Sequence, residues 1–190
     1  NYITTLWKGN IRMTPAMLFS IGLVSTFVTG GLTGIILADS ALDVNVHDTY
    51  FVVAHFHVVM GLSAIFGMLA GVYHWFPKMY GRMMNTKLGY AHFWTTLVSG
   101  FGVFIPMHFV GLNGSPRRYY SYSEFSYLDA TIELNELISI FAIIGGIAQL
   151  LFLFNFFYSI FRGQPATQNP WGSNTLEWTT PVARIHGNWE

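Results

Sequence analysis

FVVAHFHVVMGLSAIFGMLAGVYHWF, residues 51–76, contains no Asp, Glu, Lys or Arg. The run is longer than the ~20 apolar residues a helix needs to cross the hydrocarbon core of a bilayer. His55 and His57 stand near its start. On a helix, residues i and i+2 project about 200° apart, so the two imidazoles leave opposite sides of one rod. Ionisable groups at membrane depth are expensive and read as functional by default.

Working outward, the same pattern recurs. No charged residue lies between Arg12 and Asp39, between Lys87 and Arg117, or between Glu136 and Arg162. These gaps place further spans at about 15–38, 88–110 and 137–161. Unpaired backbone is not tolerated in lipid, and the runs are too long for barrel strands, so all four read as helices. The expected fold is therefore an all-α membrane protein with four transmembrane helices. Residues 1–162 form its transmembrane region and 163–190 an irregular extramembrane tail. Composition agrees: 52% of the 190 residues are hydrophobic and 9% charged, against about 25% charged in soluble domains. Basic and acidic residues cancel at nine each, so nothing points to nucleic acid. The chain has no cysteine, which excludes disulfides, Fe–S clusters and thiolate metal sites within it.

Lys8, Arg12, Lys78, Arg82, Lys87, Arg162 and Arg184 fall on one side of the four spans, and only Arg117 and Arg118 on the other. The positive-inside rule puts the first side in the cytoplasm or matrix. Most acids, from Asp39 and Asp43 to Glu124, Asp129, Glu133 and Glu136, lie outside. Tyr73, Trp75, Phe76 and Tyr80, and Tyr119, Tyr120, Tyr122 and Tyr127, read as interfacial aromatic belts. Gly30, Gly31, Gly34, Gly67 and Gly71 read as close helix contacts. The fourth segment is apolar all round, so lipid or partner subunits must surround it. The chain starts at Asn1 without a leader pattern, which suggests a C-terminal portion of a longer polypeptide or one product of a split one.

Neutral imidazole is a common metal and haem ligand. Ligands on opposite faces cannot share a metal, so His55 and His57 would each serve a separate centre completed by other helices. Adding ligand bonds to the helix diameter puts two irons roughly 13–16 Å apart, close enough for electron tunnelling. The plain alternative is a pair of membrane-buried histidines bonded to neighbouring helices. Arg117 and Arg118 suit carboxylates through bidentate pairing; haem propionates pointing outward would meet them there, and lipid headgroups are the alternative. His47 and Asp48 suit a hard divalent ion such as Mg²⁺ or Mn²⁺, while Asp48 is also placed to cap the second helix. His74, His92 and His108 lie near helix ends among aromatics and read as interfacial; His186 in the tail carries no signal.

These residues carry a resemblance. Gly30-Gly31-Leu32-Thr33-Gly34, His47-Asp48-Thr49-Tyr50 running into Ala54-His55-Phe56-His57, His108-Phe109-Val110-Gly111-Leu112 and Pro116-Arg117-Arg118-Tyr119 closely resemble the C-terminal third of subunit I of the haem–copper oxidases. The resemblance covers essentially the whole chain and implies the last four of twelve helices. It implies that His55 is the proximal ligand of the high-spin haem, where oxygen binds on the far side, and that His57 is an axial ligand of the low-spin haem. It implies that Arg117 and Arg118 hold the haem propionates, that His47 and Asp48 bind Mg²⁺, and that Asp43 lies near the propionates on a possible proton exit. Two haems of A type, copper with ligands outside this chain, and Mg²⁺ are the implied cofactors. The implied partners are the rest of subunit I, a subunit II carrying a copper centre, a subunit III, cytochrome c and the lipid bilayer. The second low-spin ligand, the copper-binding histidines and the cross-linked tyrosine of the family lie upstream, so this chain cannot reduce oxygen alone. The Asp48-Thr49-Tyr50 and Pro116-Arg117-Arg118 forms look more like cytochrome c oxidases of the aa3 type than quinol oxidases. Asn169-Pro170-Trp171 and Thr175-Leu176-Glu177-Trp178 look bacterial, implying a bacterial plasma membrane, with the mitochondrial inner membrane as the alternative. The competing functions are a quinol oxidase, a di-haem b-type electron-transfer protein without oxygen chemistry, and a haem-free structural fragment.

Overall fold

Backbone polar groups must be paired internally in lipid, and in the computed structural model, which describes residues 1–122 and 125–180, each charge-free run is helical. A short helix α1 (Tyr2–Leu6) leads into α2 (Pro15–Ala38), and α3 (Ser40–Val46) bridges to the next span. That span is one rod made of α4 (Tyr50–Phe56), a π-helical segment (His57–Leu62) and α5 (Ser63–Tyr80). The helices α6 (Thr86–Leu112) and α7 (Asp129–Arg162) complete the chain of spans. Four helices among the described residues are long and apolar enough to cross a membrane. Glu124, Arg184, His186 and Glu190 lie outside the described residues.

Local chemistry sets the starts. Pro15 fills the first position of α2, where a missing N–H leaves no bond unmade, and Thr14 Oγ1 accepts from Met17 N at 3.3 Å. Asn85 Oδ1 accepts from Lys87 N and Leu88 N at 3.0 and 3.2 Å to open α6. Thr49, not Asp48, caps α4: its Oγ1 accepts from Phe51 N at 3.2 Å. Asp48 sits one residue earlier with φ +57°, turned away from the helix end. The last span starts at Asp129 rather than near 137. Asp129 in its first turn suits the positive end of the helix dipole, a contribution that hydropathy does not register.

The rod lies between α2 and α6, with α5 against α2 and α4 against α6, and α7 packs on α6 while Phe152 and Phe156 reach Tyr73 and Phe76 of the rod. In lipid such faces are held by close van der Waals fit rather than by removal of water. Phe19 at the centre stacks on Tyr73 at 5.6 Å and meets Phe93 edge-on at 5.1 Å. Tyr73 and Phe76 are therefore buried core residues rather than part of an interfacial belt, whereas Trp75 is exposed. Gly67 admits the Leu23 side chain, which an added Cβ would meet at 2.7 Å. Ser63 Oγ donates across the π-helical segment to Val58 O at 2.9 Å and accepts from Thr26 Oγ1 at 3.1 Å.

The described part of the tail docks on this same chain where α5 ends and α6 begins. Met83 N donates to Gln164 O and Ala166 N to Gly81 O. Trp171 Nε1 donates to His74 O at 3.0 Å and its ring stacks on His74 at 5.6 Å. Lys78 Nζ donates to Glu177 O and, at 2.6 Å, to Thr180 Oγ1. Trp178 is buried beneath these contacts.

Candidate functional site

His55 Nδ1 lies 3.0 Å from Gly30 O and 2.9 Å from Thr33 Oγ1. Thr33 Oγ1 itself donates to Gly30 O at 2.7 Å. A carbonyl only accepts, so the proton is on Nδ1 and the Nε2 lone pair is left available. Gly34 beside the ring has no side chain to crowd it; an added Cβ would lie 3.0 Å from His55 Cε1. His57 repeats the arrangement on the other flank. Its Nδ1 donates to Val53 O at 2.8 Å, and its ring stacks on Phe104 of α6 at 5.4 Å. Thus His55 faces α2 and His57 faces α6. A histidine that ligates a metal almost always spends its second N–H on a carbonyl or carboxylate, which fixes tautomer and ring angle. Both rings meet that condition and fit haem ligation. Phe56 lies between them, its ring 4.4 Å from that of His57.

Beyond this pair the α3–α4 and α6–α7 connections are stapled together. Arg117 N donates to Asp48 O at 2.9 Å, Tyr50 N to Ser115 O at 3.0 Å, and Thr49 bridges Pro116. Arg117 Nε donates to Asp48 Oδ1 at 2.7 Å, and its Nη2 pairs with the same oxygen. Asp48 and Arg118 both have φ in the left-handed region, +57° and +70°. Such backbone costs about 1–3 kcal/mol at a residue other than glycine and concentrates at functional sites. The Arg118 side chain is exposed. His47 Nδ1 lies 3.4 Å from Asp43 Oδ2, and its Nε2 lies 3.8 Å from Asp48 Oδ2. The structure therefore joins Asp43, His47, Asp48 and Arg117 into one chain of contacts. Among the described residues no three His, Cys, Asp or Glu side chains form a metal-holding group.

The Arg117 hydrogen bond, then its charge, holds the Asp48 carboxyl below its ordinary value of 3.8. A depressed folded value means that the staple is at full strength above 3.8 and weakens only as pH falls through the lower folded value. Amide exchange at Arg117, corrected for intrinsic rate, is therefore expected to be flat from neutral pH down to the ordinary carboxylate range. Asp48→Asn is expected to speed it about two- to fivefold at neutral pH, the modest effect of an exposed ion pair, with no further acid dependence. Hydrogen exchange read by mass spectrometry checks both statements.

The remaining histidines differ from the interfacial reading in part. His92 is fully buried, with Nδ1 3.2 Å from Tyr73 Oη. His108 donates from Nδ1 to Phe104 O at 2.7 Å and packs edge-on against Phe51. His74 is held by the tail through Trp171, Trp178 and Glu177. The spans are short of polar partners, so a buried histidine is recognisable only once its neighbours are known.

A family model described as Cytochrome C and Quinol oxidase polypeptide I matches residues 1–144. The chain belongs to that family. The matched stretch of this oxidase polypeptide contains His47, Asp48, His55, His57, Arg117, Arg118 and Asp43. Alternative cytochrome c oxidase subunit 1 of Bradyrhizobium diazoefficiens is 47% identical over 100% of this chain and 32% of its own length. Cytochrome c oxidase subunit 1 of Thermostichus vulcanus is 46% identical over 100% of this chain and 34% of its own. That of Corynebacterium diphtheriae is 44% identical over 95% and 32%. The oxidase chain thus spans about a third of the length of these curated relatives. A heme-copper terminal oxidase dimer solved by cryo-EM aligns over 79% of this chain and 27% of its own, with a TM-score of 0.69 and 20% identity; that likeness concerns the fold.

Proposed function

We propose that this chain is one wall of the oxygen-reducing centre of a proton-pumping cytochrome c oxidase, working only within a complete subunit I and complex. The observation that carries the reading is the pair of tautomer-fixed imidazoles, His55 and His57, on opposite flanks of one rod. His55 is assigned to the high-spin haem and His57 to the low-spin haem. Haem of A type bound at the two positions supplies one-electron transfer and oxygen binding. The chain's own part is positional. Gly30 O and Val53 O hold each ring through Nδ1, so neither ligand has to reorient during turnover. Because both rings belong to one rod, the spacing and angle between the two imidazoles are built in.

Arg117 and Arg118 are assigned to the haem propionates, where fixed positive charge stabilises paired carboxylates. His47 and Asp48 are assigned to Mg²⁺, completed by water and a partner subunit, and Asp43 to a proton exit beside them. The contacts among Asp43, His47, Asp48 and Arg117 support one shared outer layer. Cytochrome c is read as donor, rather than a quinol, from the Asp48-Thr49-Tyr50 and Pro116-Arg117-Arg118 forms. Copper is held outside this chain, and subunits II and III and the rest of subunit I complete the assembly. The site is a bacterial plasma membrane, with residues 1–162 in the membrane region and 163–190 as an inner-side tail; the Lys and Arg skew supports that orientation.

The test is a reduced-minus-oxidised optical spectrum of the purified membrane complex, with and without carbon monoxide. Two a-type haems are expected, one of them binding carbon monoxide. Two b-type haems without a carbon monoxide response would overturn the function and leave the fold intact.

A further inference from the structure

Tyr122 belongs to no motif that the sequence singles out for chemistry, yet it reaches back onto the arginine loop. Its Oη donates to Pro116 O at 2.7 Å. Pro116 precedes Arg117 directly, and the chain enters the left-handed region two residues on, at Arg118. The Tyr122 ring meets Tyr50 edge-on at 6.1 Å. Tyr50 is the first residue of α4, and its own N–H donates to Ser115 O at 3.0 Å. The stretch from Ser115 to Arg117 is thus held from three sides: by Tyr50 N, by the Asp48 carbonyl and carboxylate, and by the Tyr122 phenol. Two of these ties come from the segment that opens the histidine rod. The third comes from beyond the arginines and closes the loop on itself. Burial, then the neighbouring Tyr50 phenol, pushes Tyr122 well above the usual phenol range, so its Oη stays a donor at working pH.

We propose that Tyr122 is a positioning residue for Arg117 and Arg118, its Oη–H to Pro116 O bond fixing the strained turn from which both guanidinium groups reach the haem propionates. The proposal rests on the propionate reading. A phenol in this place does what a loop backbone cannot do alone. The N–H of the peptide between Pro116 and Arg117 is already bonded to Asp48 O, and the Tyr122 phenol adds the second anchor, on its carbonyl. With that carbonyl released, the turn keeps only its ties to Asp48 and Tyr50, and both positive charges gain freedom relative to the membrane interior. Positive charge held near a haem favours its reduced state, so looser arginines lower its potential.

The variant is Tyr122→Phe, which removes one oxygen and keeps the ring against Tyr50. It is made in the complete membrane complex and compared with Arg118→Leu. Two quantities are read: amide exchange of residues 115–118 and the midpoint potential of the low-spin haem by spectroelectrochemistry. Tyr122→Phe is expected to speed exchange about fivefold, the loss of one net hydrogen bond. It is also expected to lower the potential in the same direction as Arg118→Leu and by less. Unchanged exchange overturns the proposal. Faster exchange with an unmoved potential, while Arg118→Leu does move it, also overturns the positioning role toward haem. If neither variant moves the potential, the propionate reading has failed, and Tyr122 is left as a tie on the loop alone.

Discussion

Replacing His55 by Ala is expected to abolish carbon monoxide binding by the assembled oxidase and to leave the reduced low-spin band in place. His55 is held from the α2 side, by Gly30 O and Thr33 Oγ1. His57 is held from within its own rod by Val53 O and from α6 by the Phe104 ring. The two sets of supports share no residue, so losing one imidazole does not release the other. Disturbing an outer-shell partner of a metal site already costs about 10–100-fold in affinity, and removing the ligand itself should exceed that. The carbon monoxide difference amplitude per complex is the measurement, with His57→Ala as the reciprocal variant. Loss of the low-spin band in the His55 variant, with carbon monoxide binding retained, would exchange the two assignments.

The second large effect is structural. Gly111→Ala is expected to prevent accumulation of the haem-loaded complex. A Cβ at Gly111 would collide with Phe51 N and sit 2.6 Å from Phe51 Cα. These are backbone atoms of α4 and cannot rotate aside. The helices would have to separate just where Ser115 N donates to Val110 O and Tyr50 N to Ser115 O. Ordinary overpacking costs about 1–3 kcal/mol, and backbone against backbone at this distance should cost more, so haem-loaded complex per unit membrane is expected to fall by at least about tenfold. Gly31→Ala is the control, because nothing lies within 4 Å of its added Cβ. Wild-type yield from Gly111→Ala would mean that α4 and α6 do not approach so closely.

The spans were legible because lipid imposes one rule everywhere: charge must leave the hydrocarbon and backbone must pair with itself. That rule places α2 from the gap between Arg12 and Asp39, and it sets His55 and His57 on opposite flanks by angle alone. It says nothing about which apolar face meets which. Tyr73, Phe76 and His92 therefore turned out buried among helices, although their positions near the ends of α5 and α6 suggested an interface. Arg117 and Asp48 stand out one by one in the sequence, as a residue suited to carboxylates and a residue suited to a cation. Their pairing was not readable, because it joins loops 69 residues apart. The tail showed its irregularity through Pro, Asn and Gly, but not its berth on His74 and Lys78. The chemical roles proposed for these residues rest on the resemblance, since among the described residues no three metal-binding side chains come together.

The wide segment from His57 to Leu62 has a geometric consequence. A π-helical turn holds one residue more than an α-helical one, and one residue corresponds to about 100° of rotation. The segment therefore acts as an angular offset inside a continuous rod. Up to and including its first residue the rod carries the two imidazoles; downstream it carries Phe66 and Tyr73 of the aromatic core. Each half can be aimed without dragging the other. A change of sequence length by one residue here would keep the rod intact and every side chain in place along its own half, yet swing the imidazoles by roughly a quarter-turn relative to the core. The aiming of the two imidazoles is thus separated from the packing of the bundle, and the hinge between the two is a matter of residue count rather than of residue type.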